Sequence, residues 1–255
     1  MPEPWAALLP VALEALLLML VSRLLFAGVI SAFADRRGKG LLLGLLRLPG
    51  NTIHEYSHCL GFWVCGYRVK RVLLCIFDRR GRGSCEPGRP WAPVALPWLA
   101  AGLAALMPLV VGSAVLLLAG RELGVLHRPP EISEAHVLSG VAHQAWALLH
   151  RLDWQHWQTY AFLYLALSIG AELAPSATDL RFGLPALLSL VAGMWLFFFA
   201  ADQAPGLQHA GQAAQLALRR GALWLGQVWT VALVLTTAAA ALTLVPAFVL
   251  RALRR

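Results

Sequence analysis

Long apolar runs separated by short polar segments dominate this chain. A helix needs roughly 20 apolar residues to cross a membrane. Six runs approach or exceed that length, and they lie at about 5–34, 41–66, 91–119, 158–175, 184–200 and 223–250. We therefore expect an all-α polytopic membrane protein with about six transmembrane helices. Because no polar region is long enough for a separate soluble domain, residues 1–255 are expected to form one integral membrane domain.

The segment between the second and third runs has a different pattern. Residues 67–90 (YRVKRVLLCIFDRRGRGSCEPGRP) alternate roughly as a strand does and are interrupted by glycines at 81, 83 and 88. This pattern predicts a β-hairpin or short strand pair. The segment also carries seven basic residues, which favour the cytoplasmic face or the level of the lipid headgroups.

Two polar connections are predicted to form helices at the membrane surface. The first follows Pro129-Pro130, and three histidines recur in it every seven residues: His136, His143 and His150. Because this spacing is poor for chelation, an interfacial face with tryptophans of the membrane belt is favoured over a second metal site. These tryptophans are Trp146, Trp154 and Trp157. The second connection, residues 201–222, is expected to be a short interfacial helix before the last span.

Composition agrees with a membrane protein and limits its partners. The chain is 59% hydrophobic and only 13% charged, whereas a soluble domain carries about 25% charged residues. Its net charge of +8 indicates topology and contact with anionic lipid headgroups rather than nucleic acid. The distribution of Lys and Arg favours, by a small margin, both termini in the cytoplasm.

The four cysteines lie close together in the sequence, at Cys59, Cys65, Cys75 and Cys85. They contain no C-x-x-C pair, which argues against a zinc knuckle. A Cys75–Cys85 disulfide is one alternative if this region faces an oxidising compartment. Buried or reduced thiols are the favoured interpretation, because a free cysteine behaves as a small hydrophobic residue.

A metal-binding motif lies within the second apolar run. Residues 54–58 read H-E-Y-S-H, with His54 and His58 four residues apart and therefore on one face of a helix. Glu55 is placed to act as a general base on a metal-activated water. Pro49-Gly50 precedes the motif, and we expect a helix break there, with Asn51 or Thr52 capping a new helix.

A catalytic zinc ion usually has three protein ligands, so one more is needed. Two acids near a later span are candidates, Glu172 and Asp179, on either side of Pro175. A carboxylate at membrane depth is costly unless it is paired or bound to metal. Asp179 has two other interpretations, an ion pair with Arg181 or a cap of the following helix.

These motifs resemble the site-2 protease family of intramembrane zinc metalloproteases. That family combines H-E-x-x-H on one span with a Gly-x-x-Val strand region, matched by Gly66–Val69, and a later Asn-x-x-Pro…Leu-Asp-Gly segment. The later segment resembles residues 172–180, where Glu172 replaces the asparagine and Leu180 replaces the glycine. The resemblance covers about residues 41–185, with flanking helices at 5–34 and 184–250. Six spans, with the motif in the second, also look like a compact prokaryotic member of the family, which implies a prokaryotic cell membrane.

The resemblance implies one catalytic Zn²⁺ held by His54, His58 and Asp179, with Glu172 as a rival third ligand and Glu55 as the general base. The implied reaction is hydrolysis of peptide bonds in or near transmembrane segments of membrane-anchored protein substrates. The strand region would receive the substrate by edge pairing. Two other functions stay open: a membrane metal transporter or sensor, and an inactive scaffold that binds membrane helices.

Overall fold

A computed structural model of the chain describes residues 39–74, 83–94, 96–126, 152–173 and 175–252, together with positions 16, 17, 20–22, 24 and 150. Its helices and strands are α1 (Lys39–Val64), β1 (Tyr67–Leu73), β2 (Ser84–Pro90), α2 (Pro97–Glu122), α3 (Trp157–Glu172), α4 (Ala177–Gln203) and α5 (Gln208–Ala252). Most of the predicted first span lies outside the described residues, as do His136 and His143.

Three helical stretches among the described residues are long and apolar enough to cross a membrane. They are Pro97–Glu122, Ala177–Gln203 and Pro205–Ala241, with mean hydropathies of 2.3, 2.1 and 1.5. This is fewer than the six spans predicted. The polar residues of the candidate site lower the hydropathy of α1, and α3 has only 16 residues. Large apolar side chains exposed along α4 form a surface suited to lipid: Leu184, Leu188, Trp195 and Phe199.

The predicted hairpin is confirmed. β1 and β2 pair antiparallel, with Tyr67 opposite Pro90 and Leu73 opposite Ser84. The register is irregular on both sides of Val69, as expected for bulges that twist a short edge strand. Both strands pack against α1, so the hairpin lies beside the helix that carries the metal-binding motif.

The predicted helix break at Pro49-Gly50 is wrong, because α1 continues through Pro49. A proline inside a helix removes one backbone donor and usually kinks or ends the helix. Here the next amide, that of Gly50, donates to Ser168 Oγ on α3 at 3.0 Å. Contact with α3 therefore supports the helix at this point. Asn51 and Thr52 lie inside α1 and do not cap a new helix.

The break around Pro175 is confirmed, since α3 ends at Glu172 and α4 begins at Ala177. The separate interfacial helix predicted at 201–222 is not present. Instead α4 runs to Gln203, a 3-10 turn covers Pro205–Leu207, and α5 then continues for 45 residues. No proline interrupts residues 206–245, so one helix includes both the predicted connection and the predicted last span.

The apolar core lies where α2, α3 and α5 meet. Its buried side chains include Leu116, Phe162, Ile169, Val228 and Ala232. Within this core the Trp229 indole Nε1–H donates to Ser113 Oγ at 2.8 Å, which satisfies a buried polar group. α1 packs against α2 and α3 on another side, and α4 packs against α2. This arrangement brings the first turn of α4 opposite the middle of α1.

Candidate metal centre

The structure brings together His54, His58 and Asp179. The Nε2 atoms of the two histidines are 3.1 Å apart. The carboxylate of Asp179 places Oδ1 at 3.4 Å from His58 Nε2 and Oδ2 at 3.8 Å from His54 Nε2. Within the described part of the chain, these three side chains form a group that could hold a metal ion.

The spacing of the three ligand atoms fits a small metal ion. Bonds of the length found for zinc, at tetrahedral angles, place neighbouring ligand atoms about 3.3 Å apart. The two Nε2 atoms are 3.1 Å apart, and those of His58 and His54 lie 3.4 and 3.8 Å from Oδ1 and Oδ2 of Asp179 respectively, so the separations bracket this value. His58 and Asp179 are each 9% exposed, so the group lies in the interior of the helix bundle rather than on its surface.

Hydrogen bonds to backbone carbonyls determine which histidine nitrogens carry protons. His54 Nδ1 is 2.7 Å from the carbonyl oxygen of Glu172, and His58 Nδ1 is 2.9 Å from that of Ala104. A carbonyl oxygen only accepts, so each Nδ1 is the protonated nitrogen. In the neutral rings both Nε2 lone pairs then point towards one another and towards a carboxylate. Three Lewis bases at this distance repel one another unless a proton or a metal ion lies between them, so the arrangement is one that could hold a metal ion.

Asp179 helps to cap α4, but as the third residue of the helix and not as its N-cap, which is Ser176. Its backbone N–H donates to Ser176 Oγ at 3.1 Å, and its Oδ2 accepts from the backbone N–H of Ser176 at 2.8 Å. This capping box starts α4 and fixes the rotamer of the aspartate. The other oxygen, Oδ1, is the one that lies 3.4 Å from His58 Nε2. The cap therefore holds the carboxylate in the orientation that faces the histidines.

Glu172 contacts the centre through its backbone rather than its side chain. Its Oε1 accepts from Arg47 Nε at 2.6 Å, and its carbonyl oxygen accepts from His54. The carboxylate is absent from the group of converging ligand atoms. Arg47 on α1 thus holds the last residue of α3 at the position where it orients the first histidine.

Glu55 lies beside the group and is 5% exposed. Asn51, one turn earlier on α1, is 2% exposed and donates from Nδ2 to Glu55 Oε1 at 3.5 Å. The backbone of Gly83, just before β2, lies against the same carboxylate. A Cβ at this position would lie 2.2 Å from Glu55 Oε1. Glu55 is therefore held between its own helix and the hairpin.

Close helix packing makes these contacts possible. A Cβ at Gly50 would lie 2.0 Å from the carbonyl oxygen of Ser168 on α3. A Cβ at Gly61 would lie 2.6 Å from the Cα of Ala104 on α2. The absence of side chains at these two positions lets α1 approach both neighbours closely enough for its histidines to reach their carbonyls.

The preference for free thiols is wrong for two of the four cysteines, since Cys59 is joined to Cys85. The pair is 26 residues apart in sequence, but the hairpin folds back on α1 and brings the Cα atoms to 6.1 Å. The alternative pairing involved Cys75, which lies outside the described residues. Cys65 is free.

Several contributors to this centre were not predicted from the sequence. They are Arg47, Asn51, Gly83, Ala104 and Ser168. The sequence gives one indication that Arg47 contributes, because a charged residue within an apolar run usually has a buried partner. A second indication concerns Ser176, because Ser-x-x-Asp before an apolar run is close to the capping-box pattern. Ala104 contributes its backbone carbonyl oxygen, which every residue type has, so the sequence could not identify it.

Comparison with known proteins adds no relative to this description. The chain matches no protein-family model, no curated protein and no solved structure.

Proposed function

We propose that this chain is an intramembrane zinc metalloprotease of the site-2 type, which hydrolyses peptide bonds in or near transmembrane segments of membrane-anchored proteins. The observation that carries the proposal is the convergence of His54, His58 and Asp179 beside the buried carboxylate of Glu55. Two histidines, one carboxylate and an adjacent glutamate are the parts that metal-assisted peptide hydrolysis requires. The apolar helices around them favour a substrate that lies in the bilayer.

The donor set fits one zinc ion, held by the two Nε2 atoms and the Asp179 carboxylate. When bound, the ion would polarise the scissile carbonyl and acidify a water molecule. Glu55 accepts a proton from the attacking water and delivers it to the leaving amine nitrogen, as a general base and then a general acid. Asn51 orients the Glu55 carboxylate for this transfer.

The surrounding residues preorganise the reacting groups. The carbonyls of Glu172 and Ala104 hold each imidazole by its Nδ1–H, and the Ser176 cap holds Asp179. Outer hydrogen bonds of this kind increase ligand basicity and fix ring orientation. Little rearrangement is therefore needed when the ion enters.

The rest of the proposal concerns setting and topology. We propose an integral protein of a prokaryotic cell membrane with about six spans and both termini in the cytoplasm. α1 and α3 would be counted as spans in spite of their polar or short sequences, because they pack directly against the apolar helix α2. The partners proposed are a membrane-anchored substrate and the lipid bilayer, without nucleic acid.

The test is Glu55→Gln in full-length protein reconstituted into liposomes with tagged single-span substrates. The variant keeps all three ligands, so we expect it to bind one zinc ion per chain. Cleavage should fall by about 10²–10⁴-fold, the usual contribution of a general acid–base group. Glu122→Gln is the matched control, because Glu122 is exposed at the end of α2, roughly 27 Å along the helix from Ala104.

Two results would overturn the proposal. The first is cleavage by Glu55→Gln at the wild-type rate. The second is zinc flux across the liposome membrane that depends on His54 and is accompanied by no cleavage, which would assign the chain to metal transport.

A further inference from the structure

We propose that the Cys59–Cys85 disulfide is a redox-controlled clasp that holds the start of β2 over the Glu55 carboxylate, so that reduction opens the site. The inference rests on the proposed function for its consequence, namely that the covered carboxylate belongs to a reacting centre. The clasp itself rests on two independent contacts between the hairpin and α1.

The first contact is that of Gly83 with Glu55. A Cβ at residue 83 would lie 2.2 Å from Glu55 Oε1 and 2.6 Å from Asn51 Nδ2. The backbone of Gly83 therefore lies directly against the carboxylate and leaves no room for even a methyl group. A peptide that approached Glu55 from this side would have to displace Gly83.

The second contact is the disulfide, which lies next to the first on both elements. Cys85 is two residues beyond Gly83, at the beginning of β2, and Cys59 directly follows His58 on α1. The covalent bond thus joins the two elements about one helical turn from Glu55. The disulfide therefore fixes the start of β2 to α1, the helix that carries His54 and His58.

The rest of β2 is held weakly. Ser84, Glu86 and Arg89 are exposed. The ion pair between Lys70 and Glu86, at 3.7 Å, joins side chains that are 72% and 49% exposed. Exposed pairs of this kind contribute little to stability. Without the disulfide, β2 would depend on its pairing with β1 and its non-covalent packing against α1, and a two-stranded hairpin is marginally stable by itself.

Reduction of the clasp requires a dithiol reductant. One of its thiolates attacks the sulfur of Cys85, which is half-buried, whereas Cys59 is 8% exposed. The S–S bond breaks, a mixed disulfide forms on Cys85, and the Cys59 thiolate leaves and takes up a proton. The second thiol of the reductant then displaces Cys85. The chain gains two electrons and two protons, and the reductant becomes a disulfide.

The state of the clasp would follow the compartment that it faces. Disulfides persist in oxidising compartments and are reduced in the cytosol. The closed arrangement with Gly83 over Glu55 therefore corresponds to oxidising conditions, and reducing conditions would release β2. The proposed topology, with six spans and both termini in the cytoplasm, places the hairpin on the cytoplasmic side. The open state would therefore be the ordinary one, and oxidising conditions in the cytoplasm would close the clasp over the general base.

The test compares Cys85→Ser with the matched variant Cys65→Ser, which removes the free cysteine of the same region. Full-length zinc-loaded protein in nanodiscs is examined by hydrogen–deuterium exchange of the segment 83–90 and by the rate of zinc transfer to EDTA. We expect both rates to rise at least about tenfold in Cys85→Ser, because a local opening is no longer held closed, and to stay unchanged in Cys65→Ser.

Two further samples make the result independent of any single variant. Wild-type protein reduced with dithiothreitol and alkylated before zinc loading should behave as Cys85→Ser does. Gly83→Ala should also release zinc faster while its disulfide stays intact, because the added methyl group forces β2 away from Glu55. Thermal unfolding of each sample establishes that it is folded.

The proposal is overturned if exchange of segment 83–90 in Cys85→Ser and in reduced wild type matches that of Cys65→Ser. It is also overturned if exchange rises but zinc release does not, since β2 would then not cover the site. If no sample binds zinc, the proposed function fails, and the exchange measurement alone decides whether the disulfide holds β2 closed.

Discussion

Glu172 binds His54 through its main chain, with 2.7 Å between the carbonyl oxygen and Nδ1, while its carboxylate turns away to Arg47. One residue thus joins the last turn of α3 to both the metal-binding histidine and the basic residue of α1. This relationship separates the two acids that the sequence left as rival ligands. It places the carboxylate of Glu172 in an ion pair, whereas that of Asp179 lies with the two histidines in the group that could hold a metal ion.

Replacement of the two acids should therefore have different effects on zinc binding. We expect Asp179→Ala to lose stoichiometric zinc, because one of three ligands is removed. Glu172→Gln should keep one zinc per chain with an affinity at most about 10-fold lower, because the main-chain carbonyl that holds His54 remains and only the ion pair with Arg47 is lost. Metal analysis and competition with a chromophoric chelator measure both quantities.

The control for Asp179 is Ser176→Ala, which removes the other half of the capping box and keeps the carboxylate. It should lower the free energy of unfolding by about 1 kcal/mol, as other cap replacements do, yet still bind zinc. Stoichiometric zinc in Asp179→Ala together with its loss in Glu172→Gln would reverse the assignment.

The Arg47–Glu172 ion pair should be visible as an energetic coupling. Both side chains are largely buried, with 18% and 11% exposed. Removal of one partner leaves the other as a buried charge, so Arg47→Met alone should destabilise the protein more than the double variant with Glu172→Gln does. A coupling free energy of about 1–3 kcal/mol is expected from a double-mutant cycle of unfolding in detergent. Additive single effects would show that the pair is not coupled.

Gly50 should tolerate no side chain. The methyl group of Gly50→Ala would lie 2.0 Å from the carbonyl oxygen of Ser168, so α1 and α3 must separate. We expect a loss of about 1–3 kcal/mol in unfolding free energy, the usual cost of overpacking, together with weaker zinc binding as His54 moves from its carbonyl partner. Thermal unfolding and zinc competition in detergent measure the two effects.

A matched control is available at Gly193 in the middle of α4, where a Cβ would meet nothing within 4 Å. Gly193→Ala should stabilise the helix by about 0.5–1 kcal/mol, because alanine restricts the unfolded chain more than glycine does. Equal destabilisation by both alanine variants would indicate that contact with Ser168 is not the cause.

Local patterns in the sequence predicted the parts of this molecule that depend on neighbouring residues. The i, i+4 spacing of His54 and His58 predicted a shared helix face, and strand alternation with glycine turns predicted the hairpin at 67–90. Pro175 predicted the break that separates α3 from α4. Each of these features follows from backbone geometry over fewer than about ten residues on either side.

Features that depend on distant residues were missed. Where α1 continues past Pro49, the Gly50 amide donates to the hydroxyl of Ser168, which is 118 positions away in the sequence. The partner of Cys59 depends on how far the hairpin folds back on α1. No spacing rule contains such information, because it arises only when two elements pack together.

The capping box at the start of α4 has a consequence for which amino acid this position accepts. A capping box alone would accept glutamate in place of Asp179, since glutamate is the usual residue there. The longer side chain would move the carboxylate by about one methylene length, roughly 1.5 Å. Its oxygens would then no longer lie at the present distances from the two histidine Nε2 atoms. Binding of zinc at the proposed centre and folding of the α4 amino terminus would therefore be linked equilibria that share one carboxylate, so that loading with metal should also protect α4 from fraying.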